Sequence, residues 1–122
     1  MHPKALIHTI WQSQCAATEG IRQRYGAVRA LEYLVGEKLM HYAEACEADA
    51  TLAPALVAFV AEVRRLFSKQ ELQTYLDDLE QQKIVAAALP LDEDDPLDTA
   101  KRRQSECERL SWVKSMALVS AS

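Results

Sequence analysis

The side chains best spaced to do chemistry are Glu37, His41 and Glu44. On a helix, positions i, i+4 and i+7 share a face, and two carboxylates with an imidazole could offer oxygen and nitrogen ligands to a divalent metal. Di-iron bundles use Glu-x-x-His on paired helices, whereas here the order is His41-x-x-Glu44 and there is no second copy. At about 100° per residue the trio also falls nearly opposite the apolar stripe of its segment, on the side that an amphipathic helix turns to water. A solvated face is the expectation, with no metal and no other cofactor assigned. A metal-dependent helical enzyme stands third among the functional readings.

The other reactive side chains are scattered. Cys15, Cys46 and Cys107 are far apart, odd in number and never in a C-x-x-C pair, so neither a disulfide framework nor a zinc knuckle is indicated. No histidine or lysine adjoins any of them in sequence to lower a thiol pKa, and inert thiols are expected. His2 and His8 pair with no cysteine or serine in a recognisable arrangement. The chain has no G-x-x-x-x-G-K-[ST] or G-x-G-x-x-G loop to cradle phosphate, and no G-x-S-x-G elbow. No reaction is identified, and the chain reads as a non-enzyme.

Binding surfaces are the alternative source of function. Counting along the second helix puts Arg22, Arg29, Tyr33, Gly36, Met40 and Ala43 on a flank distinct from its main apolar stripe. A glycine inside a helix costs up to about 1 kcal/mol relative to alanine, which a close approach by another element would offset. Either another helix of the same chain packs there, or Arg22, Arg29, Tyr33, Gly36 and Met40 form a partner or homodimer interface, of the Tyr, Met and Arg composition that interfaces prefer. Asp92, Glu93, Asp94 and Asp95 form a second candidate, an acidic patch that would dock a basic protein. A calcium loop would need a central glycine where this segment has Pro96.

Nucleic acid is the alternative partner. Arg22, Arg24 and Arg29 near the start of the second helix, with Lys101, Arg102 and Arg103 opening the fifth, could contact phosphates if the fold brought them together. The third and fourth helices resemble a helix-turn-helix only loosely, because the second of the pair carries Asp77, Asp78 and Glu80.

The elements that must position these residues are helices. Three glycines, four prolines and no alternating Val/Ile/Thr runs leave little material for strands. A first helix is predicted from Pro3, with Leu6, Ile7, Ile10 and Trp11 apolar, ending near Gly20. A second runs from about Ile21 to Ala48, with Val28, Leu31, Val35, Leu39, Tyr42 and Cys46 on one stripe. A third starts at Pro54 and buries Leu56, Phe59, Val60, Val63 and Phe67. Ser68-Lys-Gln-Glu71 is a capping box that starts a fourth, with Leu72, Tyr75, Leu76 and Leu79 inward and the apolar run 84–89 carrying it to Pro90. An acidic loop over about 90–98 precedes a final helix over about 96–119, capped by Asp95 or Asp98 and burying Leu110, Val113 and Ala117. The fold class is all-α, a four- to five-helix bundle with short connections, and residues 1–122 form one helical domain.

Composition agrees with that class. At 122 residues the chain is long enough for one core, and 49% apolar with 26% charged residues is ordinary for a globular protein. There is no uncharged apolar run of about 18 residues to cross a membrane, and the first residues do not make a signal peptide, so the cytoplasm is expected. The net charge of −4 hides an asymmetry: residues 37–98 carry fourteen acidic and five basic side chains, with basic excess on either side. Unless the ends fold back over the middle, the surface is polarised, and such fields steer partners. The leading expectation is a small regulatory or accessory protein that binds a protein partner.

Overall fold

The computed structural model describes residues 3–118, with side chains from residue 9 onward. The expectations for His2, for the side chains of Leu6, Ile7 and His8, and for residue 119 lie outside them. Five helices account for the described fold: α1 (Pro3–Tyr25), α2, α3 (Ala53–Leu66), α4 (Lys69–Ala88) and α5 (Ala100–Leu118). Helix α2 is continuous through an α stretch (Ala27–Leu31), a π stretch (Glu32–Leu39) and a second α stretch (Met40–Ala48). No strand occurs among the described residues. None of the helices is long and apolar enough to cross a membrane.

The first boundary differs from the sequence expectation. Helix α1 runs through Gly20 and stops at Tyr25, and the chain turns at Gly26, whose φ of 93° is easy only for glycine. The Gly26 N–H donates to the Arg22 carbonyl at 2.9 Å, and the Gly26 carbonyl accepts from Ala30 at 3.2 Å, so one residue ends one helix and starts the next. Gly20 is tolerated inside the helix at the usual cost of up to about 1 kcal/mol.

Other boundaries follow local chemistry. Asp49 accepts from the Thr51 N–H at 3.0 Å and turns the chain into a short 3-10 turn ahead of α3. Ser68 and Glu71 form both halves of a capping box: Ser68 Oγ accepts from the Glu71 N–H at 3.1 Å, and Glu71 accepts from the Ser68 N–H at 2.9 Å. Helix α5 starts at Ala100, later than expected, because Thr99 Oγ1 rather than Asp95 or Asp98 accepts from the Arg102 N–H at the first turn. The first three connections are short, while that between α4 and α5 spans residues 89–99.

All five helices supply side chains to one apolar core. Trp11 and Cys15 come from α1, Leu34, Val35 and Leu39 from α2, Leu56, Phe59 and Val63 from α3, Leu72 and Leu76 from α4, and Leu110 and Val113 from α5. Trp11, Tyr42 and Phe59 meet ring to ring at 4.6–5.4 Å where α1, α2 and α3 converge. Thr18 is buried, and its hydroxyl donates to the Gln14 carbonyl one turn back at 2.8 Å. Helix α5 lies along α4 and touches the second α stretch of α2 and helix α3.

The buried face of α2 keeps the expected Leu31, Val35, Leu39 and Cys46, with Tyr42 half-buried, and is wider than the stripe drawn at 100° per residue. Val28, expected inside, is 69% exposed, while Leu34 and Ala43 are fully buried. Val28 stands in the first turn of α2, ahead of the π stretch, so its exposure reflects what lies opposite it and not the winding of the helix.

Candidate interaction surfaces

Glu37, His41 and Glu44 all lie exposed on α2. Among the described residues no group of three His, Cys, Asp or Glu side chains draws close enough to hold a metal ion. The three cysteines are unlinked, with Cys15 and Cys46 buried. Burial, with a smaller contribution from Glu62, pushes the Cys15 thiol up to about 11, the direction of an unreactive sulfur.

The basic side chains are largely engaged within the molecule. Arg22 closes the junction between α3 and α4: it donates to the Leu66 carbonyl and, at 3.2 Å, to Glu71, while its guanidinium stands 4.5 Å from the Phe67 ring centroid. Its Nε lies 3.5 Å from Glu19, an ion-pair distance without a hydrogen bond. Leu66 is the last residue of α3, so the cation meets the negative end of that helix. Arg29 pairs with Glu32 at 3.3 Å and Arg102 with Glu106 at 3.5 Å. Lys101 and Arg102 border a depression with Glu44, which is fifteen residues beyond Arg29 on α2, roughly 20 Å at helical rise. The two basic groups therefore sit towards opposite ends of α2 and do not form one surface.

Helix α5 does fold back on the acidic middle. Arg109 grips Glu47 with two hydrogen bonds of 3.0 Å, and Lys114 reaches Asp77 at 2.6 Å and Glu80 at 3.3 Å. The polarised surface suggested by the sequence is thus partly neutralised.

On the flank of α2, Tyr33 and Met40 are half-buried against the core. Gly36 lies beneath the Tyr75 side chain of α4, whose hydroxyl occupies the space that a Cβ on Gly36 would need. The close approach is by a side chain, not by a backbone. Ala43 is buried outright. Arg29 and Tyr33 border a shallow depression with Tyr25, Glu32 and Glu37, and Gly36 borders a larger one with Val28, Tyr75 and Asp78.

The acidic connection is folded rather than slack. Arg103 donates to Asp98 at 2.8 and 2.9 Å, to the Leu89 carbonyl at 2.6 Å and to the Pro90 carbonyl at 3.2 Å. The same Asp98 accepts from the Asp92 N–H at 2.7 Å, and both contacts hold its carboxyl below the usual range, Arg103 contributing most. Asp92 and Asp95 accept from the N–H groups two residues on, as Asx turns do. Glu93 and Asp94 are exposed, and neither carboxylate pairs with a described residue.

The apolar side chains around this connection were not foreseen as surface. Ile84 is 53% exposed and Val85 62%, and Leu89, Leu91 and Leu97 are also exposed. A signal was present in the sequence: Ile84-Val85-Ala86-Ala87-Ala88-Leu89 is apolar on every side, with none of the periodic polar positions of a one-faced helix. Compared with known proteins, the chain matches no protein-family model, no curated protein and no solved structure.

Proposed function

We propose that this chain is a helical-bundle interaction protein, acting by binding a protein partner rather than by catalysing a reaction. The observation that carries the reading is where the apolar surface lies. Five of the ten large hydrophobic side chains left exposed among the described residues, Ile84, Val85, Leu89, Leu91 and Leu97, fall within fourteen consecutive positions. Exposed apolar side chains scattered singly need no explanation, whereas a concentration of them beside polar residues is the composition of a binding site.

Two further features support it. Arg103 and Asp98 hold the 89–99 connection in a defined shape, so less ordering entropy is lost when a partner binds. Glu93 and Asp94, next to the apolar side chains, favour a partner with a basic rim. Three thiols free of disulfides suit a reducing compartment, and the cytoplasm is the proposed location.

The test is affinity capture with the full tagged chain in its own host, run beside Leu89→Ser/Leu97→Ser and with melting curves of both proteins. A protein enriched by the wild type and lost with an equally stable variant supports the reading. Equal recovery by both removes the 84–97 edge as the interface. No enrichment over the tag alone, with a monomer by light scattering, overturns the binding role itself.

A further inference from the structure

Helices α2 and α4 enclose an apolar trough whose α4 wall ends at Gln82, just ahead of the 84–97 edge. It consists of depressions of about 470 and 370 Å³ that share Val28, Tyr75 and Asp78. At its centre Gly36, with no side chain of its own, lets the Tyr75 side chain settle onto α2. The Tyr75 hydroxyl donates no hydrogen bond to a described residue. Val28, 69% exposed, stands at the trough with no described side chain covering it, and Leu79 is half-buried beside it.

The walls are acidic. Glu32, Glu37 and Asp78 line the larger depression. Glu32 has Arg29 as an exposed partner, but Glu37 and Asp78 pair with no described cation. Burial pushes the Tyr75 phenol upwards, and the nearby carboxylates of Glu32 and Glu37 add to it. A cation above such an aromatic face is attracted by the ring and by the carboxylates together.

We propose that this trough seats a basic amphipathic helix of a partner protein, its apolar face on Val28, Tyr75 and Leu79 and its lysines or arginines against Glu32, Glu37 and Asp78. Helix-in-groove recognition needs an apolar channel a few turns long. The lining contributed by α4 and its cap runs from Ser68 to Gln82, about 21 Å at helical rise, which accommodates roughly four turns of a partner helix. Charge selects this occupant over the others. Nucleic acid would bring phosphates against three carboxylates, and a second copy of a chain with net charge −4 would bring like charge to like.

The experiment measures fluorescence anisotropy of a labelled leucine/lysine peptide of about 16 residues, long enough to fill the trough, with the full chain at low and moderate salt. A peptide of the same composition, scrambled to destroy its amphipathic face, is the first control. Glu37→Gln/Asp78→Asn removes two trough charges, and Glu93→Gln/Asp94→Asn removes two from the acidic connection. The amphipathic peptide is expected to bind the wild type and the Glu93/Asp94 variant alike, with Glu37→Gln/Asp78→Asn weakening it by about tenfold or more. Val28→Ser is expected to weaken it several-fold through lost apolar contact. All of these positions are exposed, so melting temperatures should stay within a few degrees of the wild type. Equal binding of the scrambled peptide, or equal weakening by both charge variants, would show attraction to an acidic protein in general and overturn the trough. No binding at low salt overturns it outright. Weakening by Glu93→Gln/Asp94→Asn alone would place the peptide on the 84–97 edge and overturn the trough, whereas the edge as a protein interface is tested separately by Leu89→Ser/Leu97→Ser.

Discussion

Arg22 shows how one side chain can do several structural jobs. Its guanidinium reaches the last carbonyl of α3, the Glu71 carboxylate at the start of α4 and the face of Phe67, so it clasps the end of α1 to the next helix junction. Glu71 is held below its ordinary pKa, first by the Ser68 backbone N–H and then by Arg22 and the Ser68 hydroxyl. A carboxyl whose folded pKa is depressed stabilises the fold above its unfolded pKa, and that stability is lost as the pH falls through the folded value. Acidifying from the ordinary glutamate range downwards should therefore weaken the wild type more than Glu71→Gln, which keeps the capping geometry without the charge. Urea midpoints across that range check this, and parallel acid slopes for the two proteins would refute it.

Helix α2 carries its information in its winding. The π stretch Glu32–Leu39 keeps Leu34, Val35 and Leu39 in the core, and Gly36 in the middle of it leaves room for Tyr75. A methyl at Gly36 meets the Tyr75 hydroxyl, and overpacking of this kind costs about 1–3 kcal/mol, more than the gain of up to about 1 kcal/mol from better helix propensity. Gly36→Ala is expected to destabilise the chain by about 1 kcal/mol on this balance. Removing the hydroxyl with Tyr75→Phe should recover most of the loss, giving a coupling energy of about 0.5–1 kcal/mol in a double-mutant cycle. A stabilised Gly36→Ala protein, or additive effects of the two changes, would mean that α4 does not sit on Gly36.

At the scale of the molecule, cooperativity is the property at issue. Phe59 is 2% exposed and touches Trp11 of α1 and Tyr42 of α2, while helix α5 is held to α4 by Val113 and Leu110 in the core and by Lys114 at its edge. Large-to-small changes at such an aromatic cost about 3–5 kcal/mol, a large share of the 5–15 kcal/mol that typically holds a domain together. Phe59→Ala should therefore lower the melting transition of the whole chain, with helix content by circular dichroism and Trp11 fluorescence, followed in a Trp112→Phe background, moving together. Separate transitions would mean that part of the chain melts as its own unit and that residues 1–122 are not one domain.

Local sequence was enough wherever a residue's conformation depends on its near neighbours. The capping box at Ser68 and Glu71, the start of α3 around Pro54 and the inward face from Leu56 to Phe67 follow from hydrogen-bond geometry and a 3.6-residue period acting over a few positions. So does the all-helical character of the chain. The seat of Tyr75 on Gly36, the burial of Ala43 and the exposure of Val28 depended on contacts between residues far apart in sequence. The same holds for the surfaces. Arg22 and Arg103 are bound within the molecule, and Val28, Ile84 and Val85 face solvent, because burial is settled by which helix lies opposite, and a single helix does not encode its neighbour.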